Sequence, residues 1–409
     1  MKKHSVKTFL GICILLSLVL SCAVVTSAGE VVEIEFWHRW TGGHNEQLQQ
    51  IIDDFNAQNP SIRVKNVPSP GEYLPLLQRI LTKLAAGEAP PDMVATGYFL
   101  MDYTANTFGA VNLGRLPGCE EIFDRYIPAT LEICQVDGKQ CGVPLALSNQ
   151  VLYYNPEIFI AAGLDPEKPP KTWDELYEYA KIIKDKTDKY ALYIQNPDTW
   201  MMAALIESNG GRMKVDGRAA FNGPEAVEVM EMWARFYREG LIPQISYNEA
   251  VRAFQAGQIA MHPSSIMGLV NYRETSPWLR VSELPSFGSK PKRQTSGGAG
   301  VVILSREAKR QDAAWEFIKY LSTVEAMETW VKTGYLSPLK ADVPLYDDRQ
   351  IPAYEQLGNM IPWVNWPGPF GLEMDQLIMD WRDKILFGQV GVEEGLNKAV
   401  EQVNSKLRY

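Results

Sequence analysis

The chain is poor in the residues that build metal, redox and disulfide frameworks. Its 409 residues include five cysteines and four histidines. No Cys-x-x-Cys spacing occurs, and His38, His44 and His262 lack ligand spacing. Zinc and dithiol chemistry therefore have no frame, and no cofactor is expected. Positive charge is not in excess either: 40 Lys+Arg stand against 49 Asp+Glu, a net −9. Such a chain has no general attraction for nucleic acid or an anionic membrane. Beyond residue 28 no apolar run approaches the roughly 20 residues of a spanning helix. There is no internal repeat and no low-complexity segment. No Gly-x-Ser-x-Gly elbow appears, and Thr295–Gly300 lacks both the P-loop lysine and the dinucleotide spacing. Among so many acids a glycosidase pair always has candidates, so a secreted carbohydrate-active enzyme stands as the rival class.

What is present reads as a globular chain, 46% hydrophobic and 22% charged. The length suits two to three domains of about 150 residues each. Lys2 and Lys3, the apolar run Phe9–Leu20 and the small residues Thr26-Ser27-Ala28 read as an export signal over residues 1–28. A second route is open: Val19-Leu20-Ser21-Cys22 loosely fits a lipobox, with Cys22 lipid-anchored. Either route places the protein outside the cytoplasm, periplasmic or at the cell surface. Losing Lys2, Lys3 and Lys7 leaves 37 basic against 49 acidic residues, a net −12. Cys119, Cys134 and Cys141 remain. An Asp137-Gly138 turn sets Cys134 opposite Cys141 within disulfide range, so those two are expected to pair. Three separate buried thiols are the alternative.

Periodicity predicts a strand over Val31–Trp37, a helix over Asn45–Asn59, a strand over Ile62–Val67, a helix over Tyr73–Ala86 and a strand from Asp92. This rhythm implies a three-layer α/β lobe with a mainly parallel sheet. Val143–Tyr154 reads as a pair of strands. Thr172 with Glu175 has capping-box spacing before a helix to Lys186. Thr295–Gly300 reads as a glycine-rich turn before the strand Val301–Leu304. Of the eleven tryptophans, Trp233, Trp315 and Trp330 sit in helical patterns and read as core. Trp37, Trp40, Trp200, Trp278, Trp363 and Trp366 lie at element ends or in loops. An aromatic face suits the C–H face of a sugar ring.

Several short motifs, in order along the mature chain, resemble the extracellular solute-binding proteins of ABC importers, in the carbohydrate-binding family. They are Phe36-Trp37-His38, Phe55-Asn56-Ala57-Gln58-Asn59-Pro60, Gly87-Glu88-Ala89-Pro90-Pro91-Asp92 and Asp137-Gly138-Lys139 with Gly142-Val143-Pro144. Leu152-Tyr153-Tyr154-Asn155, Gly163-Leu164-Asp165-Pro166, Phe254–Gly257, Gly297-Gly298-Ala299 and Thr333-Gly334-Tyr335-Leu336 follow. Pro169–Trp173 and Ser264-Ser265 bring the chain nearest to the glycerol-3-phosphate-binding subgroup.

The resemblance implies an α/β, two-lobe periplasmic-binding-protein fold of type 2, each lobe a sheet flanked by helices, with an interlobe hinge. Residues 29–149 plus 297–321 would form the N-terminal lobe, and 150–296 plus 322–409 the C-terminal lobe. It implies a monomer that delivers ligand to a membrane permease. It places Tyr73, Ser148, Trp200, Ser264, Ser265, Gly298 and Tyr335 at the cleft. Two departures bear on the ligand. The subgroup's phosphate-binding arginine has no basic counterpart in Met374–Asp380, and Gly97 replaces an acidic ligand residue. Trp40 and Trp366 add aromatic surface. The expected ligand is a neutral sugar or oligosaccharide, with glycerol-3-phosphate or a glycerophosphodiester as the alternative. Arg382, just past the gap, is the one residue that could replace the lost donor.

Overall fold

The computed structural model describes residues 31–71, 73–366 and 371–407. The export signal and Cys22 lie outside the described residues. The first sheet grows from alternating apolar residues. Strand β1 (Val32–His38) turns Ile34 and Phe36 fully inward. Helix α1 (Gly42–Gln58) buries Leu48, Ile51, Ile52 and Phe55 on one face. It stops where Asn59 donates from both backbone and side chain to the Phe55 carbonyl, ahead of Pro60. Strand β2 (Ile62–Pro68), helix α2 (Tyr73–Ala85) and strand β3 (Met93–Gly97) complete the opening unit. Burying one side chain such as Phe55 contributes about 1.5–3 kcal/mol.

Helix α3 (Met101–Phe108) follows β3. Further on, β4 (Gln135–Val136) and β5 (Lys139–Gln140) form a small hairpin before β6 (Val143–Ser148). The chain then passes to a second sheet. It contains β7 (Gln150–Tyr154), β8 (Tyr190–Leu192), β9 (Ile259–Ser265) and β10 (Arg280–Glu283), in the order β10-β7-β9-β8. Helices α4 (Trp173–Lys186), α5 (Trp200–Ser208) and α6 (Pro224–Arg238) belong to this second lobe. Strand β11 (Gln294–Thr295) leads back into β12 (Gly297–Ile303), which inserts between β3 and β6. The first sheet thus reads β2-β1-β3-β12-β6. Its β1–β2 and β1–β3 pairs are parallel, but β12 runs antiparallel to both neighbours. The sheet is therefore mixed, where the strand–helix rhythm predicted a mainly parallel one.

Helix α7 (Ala308–Leu321) covers the first sheet, with Phe317 edge-on to Phe36 and Phe55. Helix α8 (Val324–Trp330) packs against α1. Leu336 and Leu339 then bridge to Leu147 and Tyr126, and the Lys340 amide donates to the Arg125 carbonyl. The last crossing therefore does not fall at residue 322, as expected from sequence. It follows Lys340, because α8 has its apolar partners on the first lobe. Helix α9 (Ile351–Glu355) then packs on β7 and β10, β13 (Met360–Ile361) pairs with β11, and α10 (Gly371–Leu386) and α11 (Val392–Lys406) close the second lobe.

Two local expectations need correction. The hairpin register is as expected, with Val136 opposite Lys139 and the Cys141 amide bonded to the Cys134 carbonyl. The sulfurs nevertheless remain free thiols. The Cys134 side chain turns toward β12, where its Sγ would lie 2.6 Å from a Cβ on Gly300. The second concerns Thr172, which accepts the Glu175 amide as predicted, while the Glu175 carboxylate reaches Lys171 N instead of the cap residue. A reciprocal capping box forms at Ser246 and Glu249.

Candidate functional site

Strands β1, β2 and β3 are parallel, so their carboxyl ends, His38, Pro68 and Gly97, open on one side of the sheet. That edge is where α/β folds hold ligands. The chain leaves β1 through Arg39 and Trp40. Trp40 is almost fully buried and packs edge-on to Trp330, 4.8 Å between centroids. Trp330 stacks on Tyr335 at 5.7 Å and 3°. His44, in the first turn of α1, meets the edge of Tyr335 at 5.6 Å. These four rings form one contiguous arc on the first lobe.

A second arc crosses to the other lobe. The Arg39 guanidinium lies 4.5 Å from the Tyr73 ring. Tyr73 meets Phe99 at 6.4 Å, Phe99 meets Trp363 at 4.4 Å, and Trp363 meets Trp200 at 6.4 Å. Arg39 joins the two arcs, since its charge acts on His44. Burial first, and that charge second, lower the His44 pKa to about 4, so the ring is neutral at pH 7. Asn365, two residues past Trp363, accepts a bond from the Asp102 amide of α3 at 3.2 Å.

Trp200 opens α5 and donates through Nε1 to the Thr295 carbonyl at 3.0 Å. It faces Gly297 across the chain crossing. A Cβ there would lie 2.6 Å from Ser148 Oγ and 2.8 Å from Trp200 Cζ2, so glycine lets these two residues close on β12. Trp200, Ser148, Tyr73, Tyr335 and Trp40 thus belong to one connected region.

Gly298 contributes backbone only: its φ is +115° and a Cβ would stand 1.9 Å from the Ala146 carbonyl. The stretch expected to be a turn is already strand from Gly297, with a bulge between Ala299 and Gly300. Ser264 donates to Gln195 Oε1, and Ser265 accepts the Met267 amide, so both serve internal bonds at the end of β9. Trp366 packs beside Phe221 in the second lobe and bonds the Asp375 carboxyl, away from the ring chain. Trp363, three residues earlier, is the loop tryptophan in contact with Phe99 and Trp200.

Arg382 is buried, donates to the Asp198 carbonyl at 2.6 Å and pairs with Asp383 at 2.8 Å. It braces the loop that leads into Trp200. Asp375, on the same helix, accepts from Thr199 Oγ1 at 2.9 Å. Burial lifts its pKa to about 7, although the residue as a whole keeps part of its surface exposed. A carboxyl raised this way adds stability below the unfolded pKa, and that stability is lost as pH rises through 7. At pH 8 Asp375→Asn is expected to be more stable than wild type by roughly 2 kcal/mol, about half the full shift because of that exposure. At pH 3.5, below the unfolded carboxyl pKa, the two should melt alike, with part of the difference already present at pH 5. A wild-type advantage at pH 8 would refute the assignment.

Phe99, Trp330 and His44 join these ring contacts without having been singled out by sequence reasoning. Trp330 carries ordinary helical spacing, and nothing local marks Phe99. Arg39 and Trp363 were visible inside their tryptophan clusters. No group of three or more metal-ligating side chains occurs among the described residues. The polar cavity between Glu33, Glu35, Asp92 and Arg310 lies at the opposite strand ends, with Arg310 and Asp92 paired at 2.7 Å.

Two α/β lobes joined by three crossings are the architecture of a hinged solute-binding protein. Residues 50–359 match the bacterial extracellular solute-binding protein family, and the chain belongs to it. It is 27% identical over 424 residues to the sn-glycerol-3-phosphate-binding periplasmic protein UgpB of Escherichia coli strain K12, covering 96% of each chain. The cyclic alpha-maltosyl-1,6-maltose binding protein from Arthrobacter globiformis shares the fold with a TM-score of 0.81 at 24% identity, over 92% of this chain and 99% of that one. UgpB from Mycobacterium tuberculosis, in complex with glycerophosphocholine, gives a TM-score of 0.80 at 19% identity, over 93% and 99%.

Proposed function

We propose that this protein is the extracytoplasmic binding component of an ABC importer, taking a neutral sugar or oligosaccharide between its lobes and handing it to a membrane permease. The observation that carries the reading is the run of rings Tyr73, Phe99, Trp363 and Trp200, which spans both lobes. Stacked aromatic faces with Ser148 beside them suit pyranose rings and their hydroxyls. The Arthrobacter protein, named for a cyclic maltosyl-maltose, supports that ligand class. Arg382 is tied to Asp198 and Asp383, so it does not replace the missing basic residue between Met374 and Asp380. Hinge closure on the ligand would present the permease with a distinct surface.

A second reading, glycerol-3-phosphate or a glycerophosphodiester, is favoured by Arg39 within the wall and by the UgpB relatives. A thermal-shift screen of mono- and oligosaccharides, glycerol-3-phosphate and glycerophosphocholine separates the two. A sugar at 100 times its dissociation constant should add about 2.7 kcal/mol. In Trp200→Ala that sugar should bind weaker by about 1–3 kcal/mol, measured by calorimetry on folded protein. A shift given only by the phosphate ligands would replace the sugar reading with the second one.

A further inference from the structure

We propose that His38 is a positioning residue for the first-lobe wall, holding Trp40 so that its indole faces the ligand. The proposal rests on the reading of Trp40 as part of that wall. His38 is the last residue of β1 and is fully buried. Its Nδ1 accepts the Trp40 backbone N–H at 3.2 Å. A ring nitrogen that accepts carries no proton, so the proton sits on Nε2. Nε2 then donates to Asn66 Oδ1. The orientation of that amide is fixed in turn, because Asn66 Nδ2 donates to Asn45 Oδ1 at 3.0 Å and Gln49 Oε1 at 2.8 Å. Every donor and acceptor between α1 and the Trp40 backbone therefore has one direction. The imidazole also stacks on the Trp40 ring at 5.4 Å and 27°.

This chain ends at unused donors. The indole nitrogens of Trp40 and Trp330 are both buried without a hydrogen-bond partner among the described residues, on rings whose centroids are 4.8 Å apart. A buried N–H left unpaired costs about 1–3 kcal/mol. A sugar hydroxyl or ring oxygen seated here would satisfy it, and the benefit depends on where the Trp40 backbone is held. Burial keeps the His38 pKa at about 4, so the neutral tautomer this geometry needs is present at pH 7.

A histidine that merely fills space would tolerate either amide replacement equally. His38→Asn places a carbonyl oxygen near the Nδ1 position, where it accepts the Trp40 N–H. His38→Gln reaches the Nε2 position, keeps Asn66 engaged and leaves that N–H without an acceptor. The test uses full-length protein labelled with 5-fluorotryptophan, the Trp40 fluorine line being assigned with Trp40→Phe. One sharp Trp40 line is expected in wild type and in His38→Asn, and a broadened or split line in His38→Gln. An unchanged Trp40 line in His38→Gln overturns the proposal.

Calorimetry with maltotriose and glycerophosphocholine as probes adds a double-mutant cycle. His38→Gln should weaken binding about tenfold in wild type and less than about twofold in a Trp40→Ala background. Equal losses in both backgrounds remove the role of His38 and leave the wall standing. Wild-type affinity in Trp40→Ala removes the wall itself and this role with it.

Discussion

Acidification from pH 7 to pH 4 is expected to destabilise this protein by several kcal/mol, chiefly through its two fully buried histidines, with half-buried His44 adding in the same direction. His38 and His262 are fully buried, and burial lowers both pKa values from 6.5 to about 4. His262 donates from Nδ1 to the Tyr193 carbonyl at 2.7 Å, within a box of Tyr153, Tyr193, Phe254 and Tyr272. That enclosure offers no counter-ion to an imidazolium. The unfolded chain takes up its protons near pH 6.5, before the folded chain does. Stability is therefore whole above 6.5 and is lost as pH falls toward 4, by about 3 kcal/mol for each histidine. Asp375, whose carboxyl favours the protonated form, offsets part of this loss over the same range. Urea melts at pH 7.5, 5.5 and 4.2 measure the slope. His262→Phe should lower stability at pH 7.5 by removing the Tyr193 bond, yet flatten the dependence by about one proton. A slope equal to wild type would show that His262 already titrates normally in the fold.

Gly298→Ala is the single substitution expected to damage the fold most. Two costs coincide there. The backbone φ of +115° is one that a Cβ opposes, and the Cβ itself would stand 1.9 Å from the Ala146 carbonyl oxygen. Backbone oxygen in a strand pair cannot rotate away, so β6 or β12 would have to separate next to the chain crossing. Strain of this kind costs about 1–3 kcal/mol for the dihedral alone, and the clash should bring the loss to at least about 3 kcal/mol. For a chain this size that lowers the melting temperature by roughly 4 °C or more. Gly358→Ala is the control: nothing lies within 4 Å of its Cβ and its φ is ordinary. A Gly298→Ala protein that melts with the Gly358→Ala control would mean that β12 can shift at no cost.

Leu48, Ile51, Ile52 and Phe55 show what local sequence can carry. Their helical spacing and the Asn59-Pro60 stop define α1 before any partner is known, because one face of a helix must find apolar cover. Alternation did the same for β1, and Asp137-Gly138 for the hairpin register. Tyr73, Ser148, Trp200 and Tyr335 were proposed for the cleft through the resemblance to a family, which carries positions that periodicity does not mark.

Sequence by itself determined the hydrophobic faces, the helix stops, the turn at Asp137-Gly138 and the family, since each depends on residues within a few positions or on motifs kept in order. Only the tertiary structure decided which elements share a lobe and which rings meet. Helix α8 joined the first lobe, past the boundary expected at 321, because α1 offers it apolar cover. Trp363 met Phe99 and Trp366 met Phe221 in the second lobe, three residues apart in one loop. The cysteines opposed in the hairpin stayed thiols as Cys134 turned to β12. A loop side chain and a thiol have no periodic partner, so long-range packing alone sets where they point.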